Sequence, residues 1–135
     1  MKFETPRLVE FSKIGDPALG YISIAETTKN IPFEIKRVYW TYFTPNEVLR
    51  GGHAHKDLQQ FIFAVSGRID FFTEDLEGNK ETFVLDRPHI GLYIPKLIWR
   101  EIQFTHNAVL MCLASEHYTE TDYFRKYEDF KNFNT

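Results

Sequence analysis

The chain has 135 residues, enough for one domain with a real but modest core. A net charge of −3 without a basic run argues against a nucleic-acid partner. No stretch approaches the roughly 18 apolar residues of a membrane span, and one cysteine excludes an internal disulfide framework.

Met1 to Glu10 mixes charged with apolar residues, unlike a secretory leader, so a cytoplasmic protein is expected. Thirteen Phe, seven Tyr and two Trp favour strands. Arg7 to Phe11 and Gly20 to Glu26 read as the first two, around the turn Gly15-Asp16-Pro17-Ala18-Leu19-Gly20. Ile35 to Tyr42 carries β-branched and aromatic residues on both faces and reads as a strand buried on both sides. Thr44-Pro45-Asn46-Glu47 ends it.

Arg50-Gly51-Gly52-His53-Ala54-His55-Lys56 follows and enters an apolar strand, Gln59 to Val65. Arg68 to Thr73 and Glu81 to Leu85 form a hairpin around Glu74 to Asn79. Gly91 to Ile94 stops at Pro95, and Trp99 to Phe104 turns at His106-Asn107 into Ala108 to Ala114. Cys112, inside Val109-Leu110-Met111-Cys112-Leu113, reads as a buried core thiol. Strands this short, punctuated about every ten residues, predict an all-β sandwich or barrel. The tail differs. Tyr123, Phe124, Tyr127, Phe130 and Phe133 recur at helical spacing, and Thr119 with Asp122 offers a capping box, so a short amphipathic helical tail is expected. No repeat or linker divides the chain, and one domain over 1–135 is expected.

His53 and His55 are two residues apart in a strand and point to the same face. The glycines before them permit a sharp turn or a close approach. Such a pair supports metal ligation or acid–base chemistry, or else is structural. In small barrels of the cupin type, a similar His-x-His is completed by an acidic ligand and a later histidine. Here the acidic position holds Gln59 or Gln60, and the later one, after Trp99, holds Arg100. A guanidinium is always protonated and has no acceptor, so it repels a cation rather than ligating it. No metal is expected. The acid–base reading remains, because imidazole exchanges protons near neutrality and a nearby guanidinium holds it neutral. Arg50, Lys56 and Arg100 can stabilise an enolate oxygen or a phosphate, and Tyr39 or Tyr93 can donate to a carbonyl.

Lys36-Arg37-Val38-Tyr39, the histidine stretch, Gly91-Leu92-Tyr93-Ile94, Trp99, Leu113-Ala114-Ser115 and Thr121-Asp122-Tyr123-Phe124-Arg125-Lys126-Tyr127 occur in one order. In this the chain resembles the WxcM-like cupin family of dTDP-4-keto-6-deoxyglucose 3,4-ketoisomerases, from about Gly20 to Phe133. The resemblance implies an all-β cupin jelly-roll barrel and a cofactor-free, metal-independent isomerase of a dTDP-sugar. It implies a homodimer that exchanges N-terminal strands. It assigns His55 as the base that carries a proton from C3 to C4 of the hexose, with His53 assisting. Tyr39 and Arg50 would bind or polarise the sugar oxygens, and Arg37, Lys56 and Arg100 would meet the pyrophosphate. Arg100 departs from the histidine many members place there, and Gln59 replaces an acid of close relatives. Some members are fused to an acyltransferase, so a stand-alone enzyme or one domain of a fusion is expected. A non-catalytic nucleotide-sugar binding module and a metal-dependent cupin epimerase or oxygenase are the competing functions.

Overall fold

A computed structural model describes residues 4–134. The stretch read for a leader begins at Met1, outside them. In chain order the strands are β1 Arg7–Glu10, β2 Ile14–Asp16, β3 Gly20–Ile22, β4 Arg37–Tyr42, β5 Leu49–His55 and β6 Gln60–Ser66. There follow β7 Ile69–Glu74, β8 Lys80–Leu85, β9 Ile90–Ile94, β10 Trp99–Phe104, β11 Val109–Ala114 and β12 Tyr123–Phe124, with one helix, α1 Tyr127–Lys131.

Two five-stranded antiparallel sheets result, ordered β1-β9-β6-β11-β4 and β12-β5-β10-β7-β8. From β4 to β11 the chain changes sheet at every step except the β7–β8 hairpin. That alternation is the jelly-roll path of the cupins, as the family resemblance implies.

Strand alternation explains where the core sits. Ile62 and Ala64 of β6, Leu92 and Ile94 of β9, and Leu110 and Cys112 of β11 meet Ile69 and Phe71 of β7, Leu85 of β8, and Ile102 and Phe104 of β10 between the sheets. The other faces of β6, β9 and β11 carry Phe61, Phe63, Tyr93 and Leu113, which pack under Phe11, Ile31 and Phe33 from the N-terminal segment. From Phe61 to Ala64, β6 is therefore continuously apolar because both its faces are covered there. The tail makes a third cluster. Phe124 and Phe130 close over Ala54 of β5, Leu97 and Trp99.

Three expectations are corrected. Ile35 to Tyr42 is not buried on both sides. β4 lies at a sheet edge and alternates, with Val38 46 %, Trp40 62 % and Tyr42 55 % exposed on its outer face. Gly20 to Glu26 pairs only over Gly20–Ile22, against Ile14–Asp16, so the Pro17 turn closes a small hairpin of its own. The short helical tail is present as Tyr127–Lys131, but the aromatic stripe does not run through one helix or a pair of helical turns, because Tyr123 and Phe124 add a strand to β5. Thr119 makes no side-chain cap bond: its hydroxyl meets that of Thr121 at 3.0 Å, and the Asp122 carboxylate that would complete the box is engaged by His55 and Asp57 instead.

Candidate active site

β5 carries the site. Arg100 of β10 pairs with His53 but Glu101 pairs with Gly51, so the ladder bulges at Gly52. Gly51 and Gly52 have φ of +83° and +67°, a region that glycine enters without penalty. A Cβ on Gly51 would stand 2.9 Å from the Arg100 carbonyl oxygen. The glycines thus let β5 press against β10 and turn both imidazoles to one side, while Ala54 faces the tail cluster.

The two rings lie edge to face, centroids 4.9 Å apart. His55 is only 2 % exposed, and its Nδ1 lies 3.2 Å from Asp122 Oδ2. His53 is more open. Tyr123 completes an aromatic corner, its ring 4.4 Å from His55 and 5.1 Å from His53. Arg125 lies 3.8 Å over that ring and is held by Glu120.

Beside the rings is a buried polar chain. Arg100 is 2 % exposed and has no carboxylate partner among the described residues. It donates to the Gln60 Oε1 and the Ile98 carbonyl. The Gln60 amide in turn donates to Tyr39 Oη at 3.0 Å and Cys112 Sγ at 3.2 Å. Arg37 stacks between Tyr39 and Tyr118 at 5.6 and 5.8 Å, and its buried Nε has no partner.

This setting fixes protonation. Burial, reinforced by the Arg100 charge, pushes His53 down to about 3. The same two causes, joined by His53 itself, depress His55 further. Both rings are therefore neutral at pH 7, and the His55–Asp122 contact is a hydrogen bond rather than an ion pair. Burial raises Asp122, opposed by the backbone N–H groups of Asp57 and Leu58. Burial also raises the Tyr39 phenol, which stays protonated. Arg100, lowered by its burial, still keeps its proton at neutrality because guanidinium pKa values start so high.

Among the described residues no three His, Cys, Asp or Glu side chains gather as a metal set. The Gln60 oxygen is committed to Arg100, whose charge faces the imidazoles. This donor set does not fit a cation.

The structure brings His53, His55, Tyr39, Arg37 and Arg100 together. Lys56 is turned away, its Nζ bonded to the Thr121 carbonyl at 3.1 Å and lying over Phe124. Arg50 is exposed on the far side of the bulge. Tyr93 faces outward beside Phe61, its hydroxyl donating to Gln59 at 2.7 Å. Gln59 thus belongs to the outer cluster and Gln60 to the interior. Sequence reasoning missed Asp122 and Tyr123 as parts of the site and left Gln60 undivided from Gln59. No strand period marks the first two: Asp122-Tyr123-Phe124-Arg125 reads polar, apolar, apolar, polar, without the alternation that would separate a strand from a helix.

A jelly roll with a paired-imidazole site on an interior strand defines a cupin-like protein. The chain belongs to the FdtA family, described as WxcM-like, C-terminal, whose model matches residues 4–135. It is 41 % identical over 129 residues to TDP-4-oxo-6-deoxy-alpha-D-glucose-3,4-oxoisomerase of Aneurinibacillus thermoaerophilus, covering 94 % of this chain and 91 % of that protein. The structure superposes on QdtA, a sugar 3,4-ketoisomerase from Thermoanaerobacterium thermosaccharolyticum crystallised with TDP. That match has a TM-score of 0.91 and 36 % identity, over 97 % of this chain and 95 % of that one. A histidine-to-asparagine mutant of QdtA has been crystallised with TDP-4-keto-6-deoxyglucose. WlaRB, a TDP-quinovose 3,4-ketoisomerase from Campylobacter jejuni, matches with a TM-score of 0.91 and 39 % identity, over 97 % of this chain and all of that one.

Proposed function

We propose that this chain forms one cupin domain that acts as a 3,4-ketoisomerase of dTDP-4-keto-6-deoxy-D-glucose. It gives the dTDP-3-keto-6-deoxyhexose without metal or cofactor, in the cytoplasm, for deoxyamino-sugar synthesis. The observation that carries this is the neutral imidazole pair beside a buried guanidinium that no carboxylate pairs with among the described residues. Kinship with proteins named for this reaction supports it.

The C4 ketone acidifies the C3 hydrogen. His55 takes that proton, and the C–H electron pair becomes the C3=C4 bond of an enediolate with its negative charge on O4. A neutral imidazole is the form a base needs. The fixed charge of Arg100 stabilises the developing oxyanion in a dry interior, where it is worth more than in water. Tyr39, protonated, donates to a sugar oxygen. His53 moves the O3 proton to O4. A lone pair of the deprotonated O3 then forms the C3 carbonyl, and the C3=C4 pair breaks to take back the His55 proton at C4. No hydrogen or electron is gained or lost overall. Arg37 is the cation offered to the diphosphate.

The homodimer with exchanged N-terminal strands belongs to the same proposal. It is supported by the bare outer face of β4 and by an apolar cleft of about 810 Å³ between Phe11, Tyr21, Ile24, Val38, Phe63 and Met111. Leu19 at 89 % and Ile22 at 65 % exposure stand on the β2–β3 hairpin, as an arm that packs on a second copy would require.

The test incubates chelator-treated protein with dTDP-4-keto-6-deoxyglucose and follows the sugar by NMR, with a transaminase trapping the product. A 3-keto product supports the proposal. Tight binding without conversion favours the binding module, and conversion only with added Fe, Mn, Ni or Zn favours the metal-dependent cupin.

A further inference from the structure

Asp122 stands where nothing in its own segment requires it. It is the last residue of a 3₁₀ turn, Glu120–Asp122, whose cap makes no side-chain bond. Its carboxylate instead reaches across to β5 and is 10 % exposed. Its Oδ1 accepts the Asp57 backbone N–H at 2.8 Å, and its Oδ2 lies 3.2 Å from His55 Nδ1. The backbone fixes it as well: Lys56 N–H donates to the Asp122 carbonyl at 2.9 Å, and Tyr123 pairs with His55 in the β12–β5 ladder.

We propose that Asp122 is a positioning residue that holds His55 in one tautomer, with the proton on Nδ1 and the Nε2 lone pair free to act as base. A carboxylate only accepts, so the shared proton resides on Nδ1. A neutral imidazole has one N–H, and placing it there leaves Nε2 bare. Without such a partner the ring samples both tautomers and both orientations, and a fraction of molecules presents an N–H where the base is needed. The assignment of His55 as base rests on the function proposed above. The tautomer does not.

Asp122→Asn separates the two. Asp57 N–H keeps the amide oxygen, so the amide NH₂ is turned to His55 Nδ1 and demands an acceptor there. The ring must then carry its proton on Nε2. Nitrogen-15 NMR of histidine-labelled protein reads this directly. The expected result is an Nδ1–H ring for His55 in the wild type and an Nε2–H ring in Asp122→Asn. In the conversion assay kcat should fall by about 10²–10⁴, the scale seen when an acid–base histidine loses its partner carboxylate, with KM changed less than threefold. Asp122→Glu, which restores an acceptor, should return the Nδ1–H ring and part of the rate. A wild-type His55 protonated on Nε2 overturns the proposal, and so does an Asp122→Asn protein that keeps both tautomer and rate. Should Asp122→Asn not fold, the wild-type and Asp122→Glu spectra decide alone. A wild type with the expected tautomer but no ketoisomerase activity defeats the proposed function and leaves the tautomer assignment standing.

Discussion

His53 and His55 are held neutral by burial and by a guanidinium, and that has a thermodynamic consequence. In the unfolded chain both titrate near the ordinary 6.5, whereas folded His53 titrates near 3 and His55 lower still. Below pH 6.5 the unfolded chain therefore binds more protons, and stability falls with acidification through that window. The slope approaches about 1.4 kcal/mol per pH unit for each histidine. Asp122, raised in the fold, opposes this only at the acid end. Urea unfolding between pH 4.5 and 6.5 should be steeply pH-dependent in the wild type and flatter in His53→Asn/His55→Asn. An unchanged slope in that variant would mean the rings are not the source. The pair itself was legible in the sequence, because His-x-His in a strand has only one geometric meaning. Arg100 was legible as a poor ligand, from its chemistry. Its partner Gln60 could not be separated from Gln59, since which neighbour faces inward depends on a register that local pattern does not contain.

At the scale of elements, the site depends on a bulge and a borrowed strand. The bulge in β5 needs glycine at Gly51 for two reasons, positive φ and the nearby Arg100 carbonyl, but at Gly52 for φ alone. Gly51→Ala should cost about 1–3 kcal/mol of stability, and Gly52→Ala less, as read from urea midpoints. Equal costs would show that the close approach to β10 is not what selects glycine. The borrowed strand is β12. Its aromatic residues fit helical spacing as well as they fit a strand, and Thr119 with Asp122 imitates a capping box. Pairing with β5 prevailed because it satisfies backbone groups on the strand edge and brings Phe124 onto Ala54. That gain is tertiary, so sequence periodicity could not weigh it. The β-strands from Gln60 to Ala114 were read nearly to the residue, because their apolar runs are short and each ends in a turn residue.

Across the whole molecule, the sheet order follows from strands that alternate between two layers, while the sheet edge at β4 was misjudged. Composition reports that Val38, Trp40 and Tyr42 want cover but not whether the cover comes from the same chain. A second copy is the proposed source. Sedimentation at micromolar concentration should find a dimer in the wild type and a monomer for Trp40→Arg, which puts a charge on a face that is 62 % open at that residue. A monomeric wild type would remove the dimer from the account.

The central claim is that an imidazole of this interior moves one hydrogen between adjacent sugar carbons. Incubation with dTDP-4-keto-6-deoxyglucose in heavy water, followed by NMR of the C3 and C4 positions, tests it most directly. The account predicts that the wild type strips the C3 proton and returns hydrogen at C4, and that His55→Asn does so at least about a hundredfold more slowly. A sugar recovered with its C3 proton intact, or a His55→Asn protein as fast as wild type, would contradict it.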